Sequence, residues 1–217
     1  MKKDLTEIVF ILDRSGSMDA LTADTIGGYN EFLETQKKTS GEAKVTTILF
    51  DDRYEILHDG LNIKQILPIT SKEYFARGST ALLDAVGMTI NDVGARLNRL
   101  DESERPEKVI VVIITDGKEN ASKEFSYKKI QRMITHQQEK YSWEFLFLGA
   151  NIDAVREAQN LGINANRAAN YAATGMGTQD LYNTVAQSIV QFRDCGKITD
   201  NLQSEIDKSG SKNKLIN

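Results

Sequence analysis

The run from Val109 to Ile114 constrains the fold most, because it consists of six consecutive β-branched apolar residues with no polar residue among them. Strands that face solvent on one side alternate apolar and polar residues, whereas strands covered on both faces are apolar throughout. The run therefore predicts a central strand of a parallel sheet. A second apolar run, Ile8 to Leu12, predicts another buried strand. An aspartate follows each run closely, Asp13 in one case and Asp116 in the other.

Strand-like and helix-like segments alternate along most of the chain. Predicted strands cover residues 5–12, 45–50, 54–58, 109–114, 143–148 and 166–171, and predicted helices cover residues 20–38, 80–100, 126–140, 153–161 and 178–192. Such alternation is typical of βαβ units, and the short Asp51-Asp52 connection indicates an antiparallel hairpin. The predicted fold class is α/β: a doubly wound, mostly parallel, Rossmann-like sheet of about six strands, with one antiparallel edge strand and helices on both faces.

Length and composition indicate one globular unit. We predict a domain over residues 1–193 and a polar C-terminal tail over residues 194–217, partly helical or disordered. The net charge of -4 predicts no nucleic-acid partner, because nucleic-acid binding needs clustered basic charge. No apolar run reaches the roughly 18–20 residues of a membrane span, which predicts no membrane partner. The amino terminus lacks a secretory leader pattern and Cys195 is the only cysteine, so we expect a cytoplasmic protein without an internal disulfide.

The segment Asp13-Arg14-Ser15-Gly16-Ser17 places one carboxylate and two hydroxyls at alternate positions directly after a predicted strand. Hard divalent cations prefer oxygen ligands, and Mg²⁺ needs only a few protein oxygens because it retains several waters. Thr80 and Asp116 would add another hydroxyl and another carboxylate. Ligands of open parallel sheets bind outside the carboxyl ends of the strands. We therefore expect one metal site formed by Asp13, Ser15, Ser17, Thr80 and Asp116.

This set resembles the metal-ion-dependent adhesion site (MIDAS) of the von Willebrand factor type A (vWA) family. The family pattern is Asp-x-Ser-x-Ser, then a distant Thr, then a distant Asp usually followed by Gly, here Asp116-Gly117. The resemblance covers residues 1–193 and points to intracellular vWA proteins of bacteria and their viruses. It implies that the Ser and Thr hydroxyls touch the cation and that the two aspartates hold it directly or through waters. Mg²⁺ is the implied cofactor, with Mn²⁺ or Ca²⁺ as alternatives.

The resemblance implies a metal-dependent protein-binding module of the adhesion or scaffold type, and not an enzyme. A cation bound mainly by hydroxyls and water keeps most of its charge, so it attracts an Asp or Glu side chain of a protein partner to its open position. The rim residues expected to shape partner choice are Arg14, Met18, Asp19, Arg77, Ser79, Lys118, Glu119 and Asn120.

The same residues are compatible with other interpretations. The segment from Asp13 to Ser17 is also compatible with a simple Asx turn, and with an EF-hand loop except that Met18 occupies the position of the required glycine. The alternative function is a Mg²⁺-dependent phosphatase or phosphotransfer enzyme with Asp13 as nucleophile. That chemistry lacks a second acid at Ser15 and a nearby general base. A role beside an ATPase in an assembly is also compatible, although this chain has no nucleotide-binding Gly-x-x-x-x-Gly-Lys-Ser/Thr loop.

Overall fold

The chain folds around one six-stranded sheet, seen in a computed structural model that describes residues 1–198 and 201–213. The strands are β1 (Lys2–Asp13), β2 (Glu42–Phe50), β3 (Tyr54–Asn62), β4 (Pro106–Thr115), β5 (Glu144–Gly149) and β6 (Ala168–Asn170). Their order across the sheet is β3-β2-β1-β4-β5-β6, and only the β2–β3 pairing is antiparallel. The predicted fold class is confirmed, including the antiparallel edge strand and the central position of the Val109 to Ile114 run.

Helices cover both faces of the sheet. They are α1 (Thr22–Lys38), α2 (Leu82–Arg99), α3 (Tyr127–Tyr141), α4 (Ala154–Asn160), α5 (Gly175–Cys195) and α6 (Leu202–Asn213). Residues of α1, α5 and α6 belong to one hydrophobic core, and residues of α2, α3 and α4 belong to the other. Because alternate residues of a strand point to opposite faces, Phe10 of β1 packs in the first core, while Val9 and Ile11 pack in the second.

The helix boundaries follow the sequence prediction with local differences. The helix expected from residue 20 begins at Thr22, and a 3-10 segment, Gly16–Leu21, precedes it. Asp153 caps α4 as predicted, because its Oδ1 accepts a hydrogen bond of 3.0 Å from the Arg156 backbone N–H. Within residues 1–198 and 201–213, none of the helices is both long and apolar enough to cross a membrane.

The register of the two central strands sets the position of the predicted site. Leu12 of β1 lies opposite Ile114 of β4 in a parallel pairing. The next residues of the two strands, Asp13 and Thr115, therefore lie side by side at the carboxyl edge of the sheet. A slip of one residue would turn the Asp13 side chain to the opposite face.

The segment predicted as a polar tail contains a packed helix. Helix α5 continues to Cys195, and α6 buries Leu202 and Ile206 in the core. The Gln203 amide accepts a hydrogen bond of 2.7 Å from Asn170 N–H and donates one of 3.3 Å to Asn170 C=O, so it covers the free edge of β6. Residues 199–200 and 214–217 of the predicted tail lie outside the described residues, and the domain boundary at residue 193 stays a prediction.

A glycine in α1 allows this helix to approach α5 closely. Gly28 is buried, and a Cβ atom at this position would overlap the ring of Tyr182 from α5. The adjacent Gly27 is exposed, and a Cβ atom there would meet nothing within 4 Å. The two glycines of the Gly27-Gly28 pair therefore have different roles, and only Gly28 is needed for helix packing.

We expect Gly28→Ala to lower the free energy of unfolding by about 1–3 kcal/mol, because the added methyl group overpacks the α1–α5 contact. The matched variant Gly27→Ala should raise it by about 0.5–1 kcal/mol, because alanine favours an exposed helix interior over glycine. Urea unfolding followed by circular dichroism measures both values. Equal effects of the two substitutions would contradict this account of the packing.

Candidate metal centre

Asp13 is the last residue of β1, and it is fully buried. Its Oδ1 accepts a hydrogen bond of 2.7 Å from the Ser15 backbone N–H, and its Oδ2 accepts one of 2.5 Å from Thr115 Oγ1. Burial raises the pKa of Asp13 to about 6, although these hydrogen bonds act in the opposite direction. The carboxylate is thus held in one orientation by Ser15 of the loop after β1 and by Thr115 at the end of β4.

Ser15, Ser17 and Asp116 form a continuous chain of oxygen atoms. Ser15 Oγ lies 3.2 Å from Ser17 Oγ, and Ser17 Oγ donates a hydrogen bond of 2.5 Å to Asp116 Oδ1. Ser15 is buried, whereas Ser17 is exposed to solvent. Burial raises the pKa of Asp116, and the hydrogen bond from Ser17 opposes the shift. The structure therefore brings the loop after β1 and the loop after β4 together through predicted site residues.

Thr80 faces the same region from a third segment of the chain, just before α2. A Cβ atom built on Gly117 would lie 3.0 Å from Thr80 Oγ1 and 3.4 Å from Ser17 Oγ, so both hydroxyls face the space beside this glycine. The Thr80 backbone is fixed by Asn120, whose Oδ1 accepts a hydrogen bond from Thr80 N–H at 2.9 Å. Within the described residues, no hydrogen bond joins the Thr80 hydroxyl to the other four predicted ligands.

Glu119 organises the loop that carries Asp116. Its carboxylate accepts hydrogen bonds of 2.9 Å from Leu83 N–H in the first turn of α2, 2.9 Å from Ala121 N–H and 2.7 Å from the Ser122 hydroxyl. A carboxylate at a helix N-terminus is favoured by the free amides and by the helix dipole. Glu119, predicted as a rim residue, thus uses its carboxylate to join the start of α2 to the loop after β4.

The segment before Thr80 is also attached to the loop that follows β1. The Tyr74 hydroxyl donates a hydrogen bond of 2.5 Å to the carbonyl of Asp13, and Gly16 N–H donates one of 3.1 Å to the carbonyl of Gly78. Gly78 has a φ of 67°, a conformation that favours glycine. These contacts limit independent movement of the loops that carry the predicted ligands.

The prediction that Arg14 lies on the rim is wrong, because its side chain is fully buried. Arg14 Nε donates a hydrogen bond of 3.0 Å to Asp51 Oδ2, and Arg14 Nη2 donates one of 2.7 Å to Glu55 Oε2. Arg77 Nε donates to the same oxygen of Asp51 at 2.6 Å. The two guanidinium groups are therefore paired with carboxylates at the β2–β3 hairpin.

Met18 is a second correction to the predicted rim. It is 1% exposed and packs in the core beneath α1, because its apolar side chain follows the inner side of the 3-10 segment. The other predicted rim residues reach the surface to different extents. Asp19, Ser79, Lys118 and Asn120 are exposed, and Arg77 and Glu119 are partly exposed.

Sequence reasoning missed several residues that shape the site. Phe75 is 40% exposed, and the guanidinium carbons of Arg14 and Arg77 lie 5.5 and 5.1 Å from its ring centroid. Tyr74 and Thr115 were also missed. Thr115 lies between the apolar run and Asp116, and this position could have indicated a further hydroxyl at the site. No local sequence pattern marked Tyr74 or Phe75.

The acidic groups of the site have no basic partner in the part of the chain that the structure describes. Its ion pairs do not include Asp13 or Asp116. In the same part, no group of three or more His, Cys, Asp and Glu side chains could hold a metal ion. The candidate site differs from such groups, because three of its five predicted ligands are hydroxyls and only two are carboxylates. Two carboxylates beside hydroxyls form a donor set that suits a hard divalent cation.

Sequence comparisons alone do not assign this chain to a family. A comparison with protein-family models gave no match, and a comparison with curated proteins gave none. Solved structures do match. The vWF domain of the type V pili tip protein Mfa5 from Porphyromonas gingivalis has a TM-score of 0.62 at 11% identity, over 90% of this chain and 98% of that one.

This chain has the fold of a von Willebrand factor type A domain. The von Willebrand factor type A protein from Catenulispora acidiphila matches with a TM-score of 0.58 at 14% identity, over 87% of this chain and 43% of that one. Proximal thread matrix protein 1 from the mussel byssus, in a structure with a zinc-occupied MIDAS motif, matches with a TM-score of 0.58 at 16% identity. That match covers 88% of this chain and 47% of the mussel protein, so this chain spans about half of its length.

Removal of the hydroxyl beside Asp13 tests what stabilises the buried carboxylate of the candidate site. We expect Thr115→Val to lower the free energy of unfolding by about 1–3 kcal/mol at pH 7.5, because Asp13 Oδ2 loses its donor while remaining buried. Thr115→Ser keeps the hydroxyl, so its free energy of unfolding should fall by less than that of Thr115→Val. Urea unfolding in EDTA measures both, and a valine variant as stable as the serine variant would show that this hydrogen bond is unimportant.

Proposed function

We propose that the loops at the carboxyl edge of the sheet bind one divalent cation, Mg²⁺ in the cell, with Mn²⁺ or Ca²⁺ as substitutes. Ser15, Ser17 and Thr80 would contribute hydroxyls, and Asp13 and Asp116 would hold the ion directly or through waters. The observation that carries this proposal is the contact chain Ser15–Ser17–Asp116 beside a second buried carboxylate, with no basic side chain paired to either acid within the described residues.

The charges of the site favour a bound cation over a purely structural cluster of polar groups. A buried carboxylate without a cationic partner is costly, and the raised pKa of both aspartates expresses that cost. Nearby Arg14 and Arg77 do not relieve it, because their guanidinium groups are paired with Asp51. A bound divalent cation would supply the positive partner that both acids lack. The zinc-occupied MIDAS motif of the structurally similar mussel protein supports the same interpretation.

We propose that the bound cation serves to capture an acidic side chain of a protein partner. The chemistry that the ion supplies is attraction of a carboxylate by a charge that neutral hydroxyl ligands leave largely intact. The chain's own residues position this charge at an accessible place, because Ser17 is exposed while Ser15 and Asp13 are buried. Asp19, Ser79, Lys118 and Asn120 surround it at the surface and would contact the partner.

Phe75 would form an apolar contact point next to the cation. It follows Tyr74, whose hydroxyl bonds to the Asp13 carbonyl, and its ring lies close to the guanidinium groups of Arg14 and Arg77. Aromatic side chains at a surface offer a large contact area at a low cost in conformational entropy. A partner with an apolar residue near its acidic residue would thus use both the cation and the Phe75 ring.

The burial of Asp13 argues against the alternative of a phosphatase or phosphotransfer enzyme. A nucleophilic carboxylate needs an oxygen free to attack the substrate, whereas Asp13 is fully buried and both of its oxygens accept hydrogen bonds within the chain. We therefore propose a binding module without catalytic activity of its own. We also propose a cytoplasmic location, because a chain with Cys195 as its only cysteine forms no internal disulfide and fits a reducing compartment.

Metal binding can be tested with a matched pair of serine variants. We expect calorimetry to detect Mg²⁺ binding, with Mn²⁺ at least as tight, as the usual affinity order requires. Ser17→Ala should weaken binding at least about tenfold, or about 1.4 kcal/mol, and Asp13→Ala should abolish it. Ser79→Ala, which removes an exposed hydroxyl outside the proposed ligand set, should have no effect. Equal affinities of the Ser17→Ala and wild-type proteins would remove the support for this site.

Partner capture can be tested by affinity pull-down from a lysate of the source organism. We expect a protein to be retained in Mg²⁺ and released by EDTA, and Ser17→Ala to retain little of it. Phe75→Ala should weaken capture without changing metal affinity, whereas Leu67→Ala should not. Leu67 is 78% exposed on the same β3–α2 connection. Capture that persists in EDTA would contradict the metal-dependent mechanism.

A further inference from the structure

A cavity of about 420 Å³ opens at the amino edge of the sheet, on the side opposite to the candidate metal centre. It lies between α2 and α3, beside the starts of β4 and β5. Its apolar lining includes Leu97, Val109 and Trp143, which are all buried members of the hydrophobic core. Pockets for small molecules measure roughly 300–1,000 Å³, so the cavity has the size of a ligand site.

A glycine of α2 keeps this cavity open. Gly94 lines it, and a Cβ atom built on Gly94 would meet nothing within 4 Å. The other glycine of this helix, Gly87, is explained by packing, because a Cβ atom there would overlap the ring of Phe125. A glycine in a helix interior costs about 0.5–1 kcal/mol relative to alanine. Gly94 carries that cost without a packing reason and leaves room in the cavity.

One basic side chain of the cavity lining is available to an anion. Arg105 lines the cavity and donates hydrogen bonds of 3.0 Å to the Leu100 carbonyl and 3.1 Å to the Asn98 carbonyl. Among the described residues no carboxylate forms an ion pair with Arg105, so its positive charge is not neutralised by the chain. Glu107, the acidic residue of the lining, accepts a hydrogen bond from Asp4 N–H.

We propose that this cavity binds a small molecule with a compact apolar or aromatic body and one anionic group. The body would lie against Trp143, Val109 and Leu97 in the space beside Gly94. The anionic group would face Arg105, since a guanidinium forms strong charge-assisted hydrogen bonds with carboxylates and sulfonates. The site is separate from the candidate metal centre, and its test does not depend on metal binding.

The only tryptophan of the chain reports directly on this site, because Trp143 lines the cavity. The probe is 8-anilinonaphthalene-1-sulfonate, added to the folded full-length protein in EDTA. We expect saturable quenching of Trp143 emission with energy transfer to the probe. Gly94→Leu should lower probe affinity at least tenfold, because the side chain fills the cavity. Gly27→Leu, at an exposed helix glycine with equal free space, should bind the probe as wild type does.

A second comparison tests the role of charge. Arg105→Gln should weaken binding of the sulfonate probe at least fivefold and leave the affinity for the neutral analogue N-phenyl-1-naphthylamine unchanged. Arg105→Lys should retain most of the affinity for the sulfonate probe. Circular dichroism melting curves establish that each variant is folded. The proposal is overturned if quenching does not saturate or if Gly94→Leu binds the probe like wild type. It is also overturned if Arg105→Gln weakens the binding of both probes equally.

Discussion

The candidate site depends on the register between the two central strands, β1 and β4. Both strands are buried on both faces, so their alternating side chains fix the pairing of Leu12 with Ile114. That pairing places the Asp13 carboxylate next to the Thr115 hydroxyl and brings the two following loops together. The short Ser17–Asp116 hydrogen bond is a consequence of the same register. The apolar core thus determines the geometry of a polar site at its edge.

The distribution of charge around this edge is equally important. Two basic side chains of the adjoining loops, Arg14 and Arg77, are paired with carboxylates of the β2–β3 hairpin and do not neutralise Asp13 or Asp116. An arginine paired with Asp13 would neutralise that carboxylate, and it would offer no open coordination position to the acidic group of a partner. The hairpin therefore has two roles: it fixes the loop after β1, and it keeps the aspartates available for an ion.

Sequence patterns predicted the features that carry a local motif, and they missed contacts whose residues stand in no recognisable pattern. The central strand followed from the apolar run at Val109 to Ile114, and the loop after β1 from the spacing of Asp13 to Ser17. The burial of Arg14 was missed because its partners Asp51 and Glu55 lie 37 and 41 residues away. The packing of α6 was missed because Leu202 and Ile206 are isolated apolar residues in a polar segment, and only the fold places them in the core.

The most direct test of the central claim is an anomalous difference map from crystals of the wild-type protein grown with Mn²⁺. The account predicts one strong peak within bonding distance of the Ser15 and Ser17 hydroxyls, with Thr80, Asp13 and Asp116 in direct or water-mediated contact with it. A map at saturating Mn²⁺ with no peak among these loops, or with its only peak elsewhere on the chain, would contradict the account.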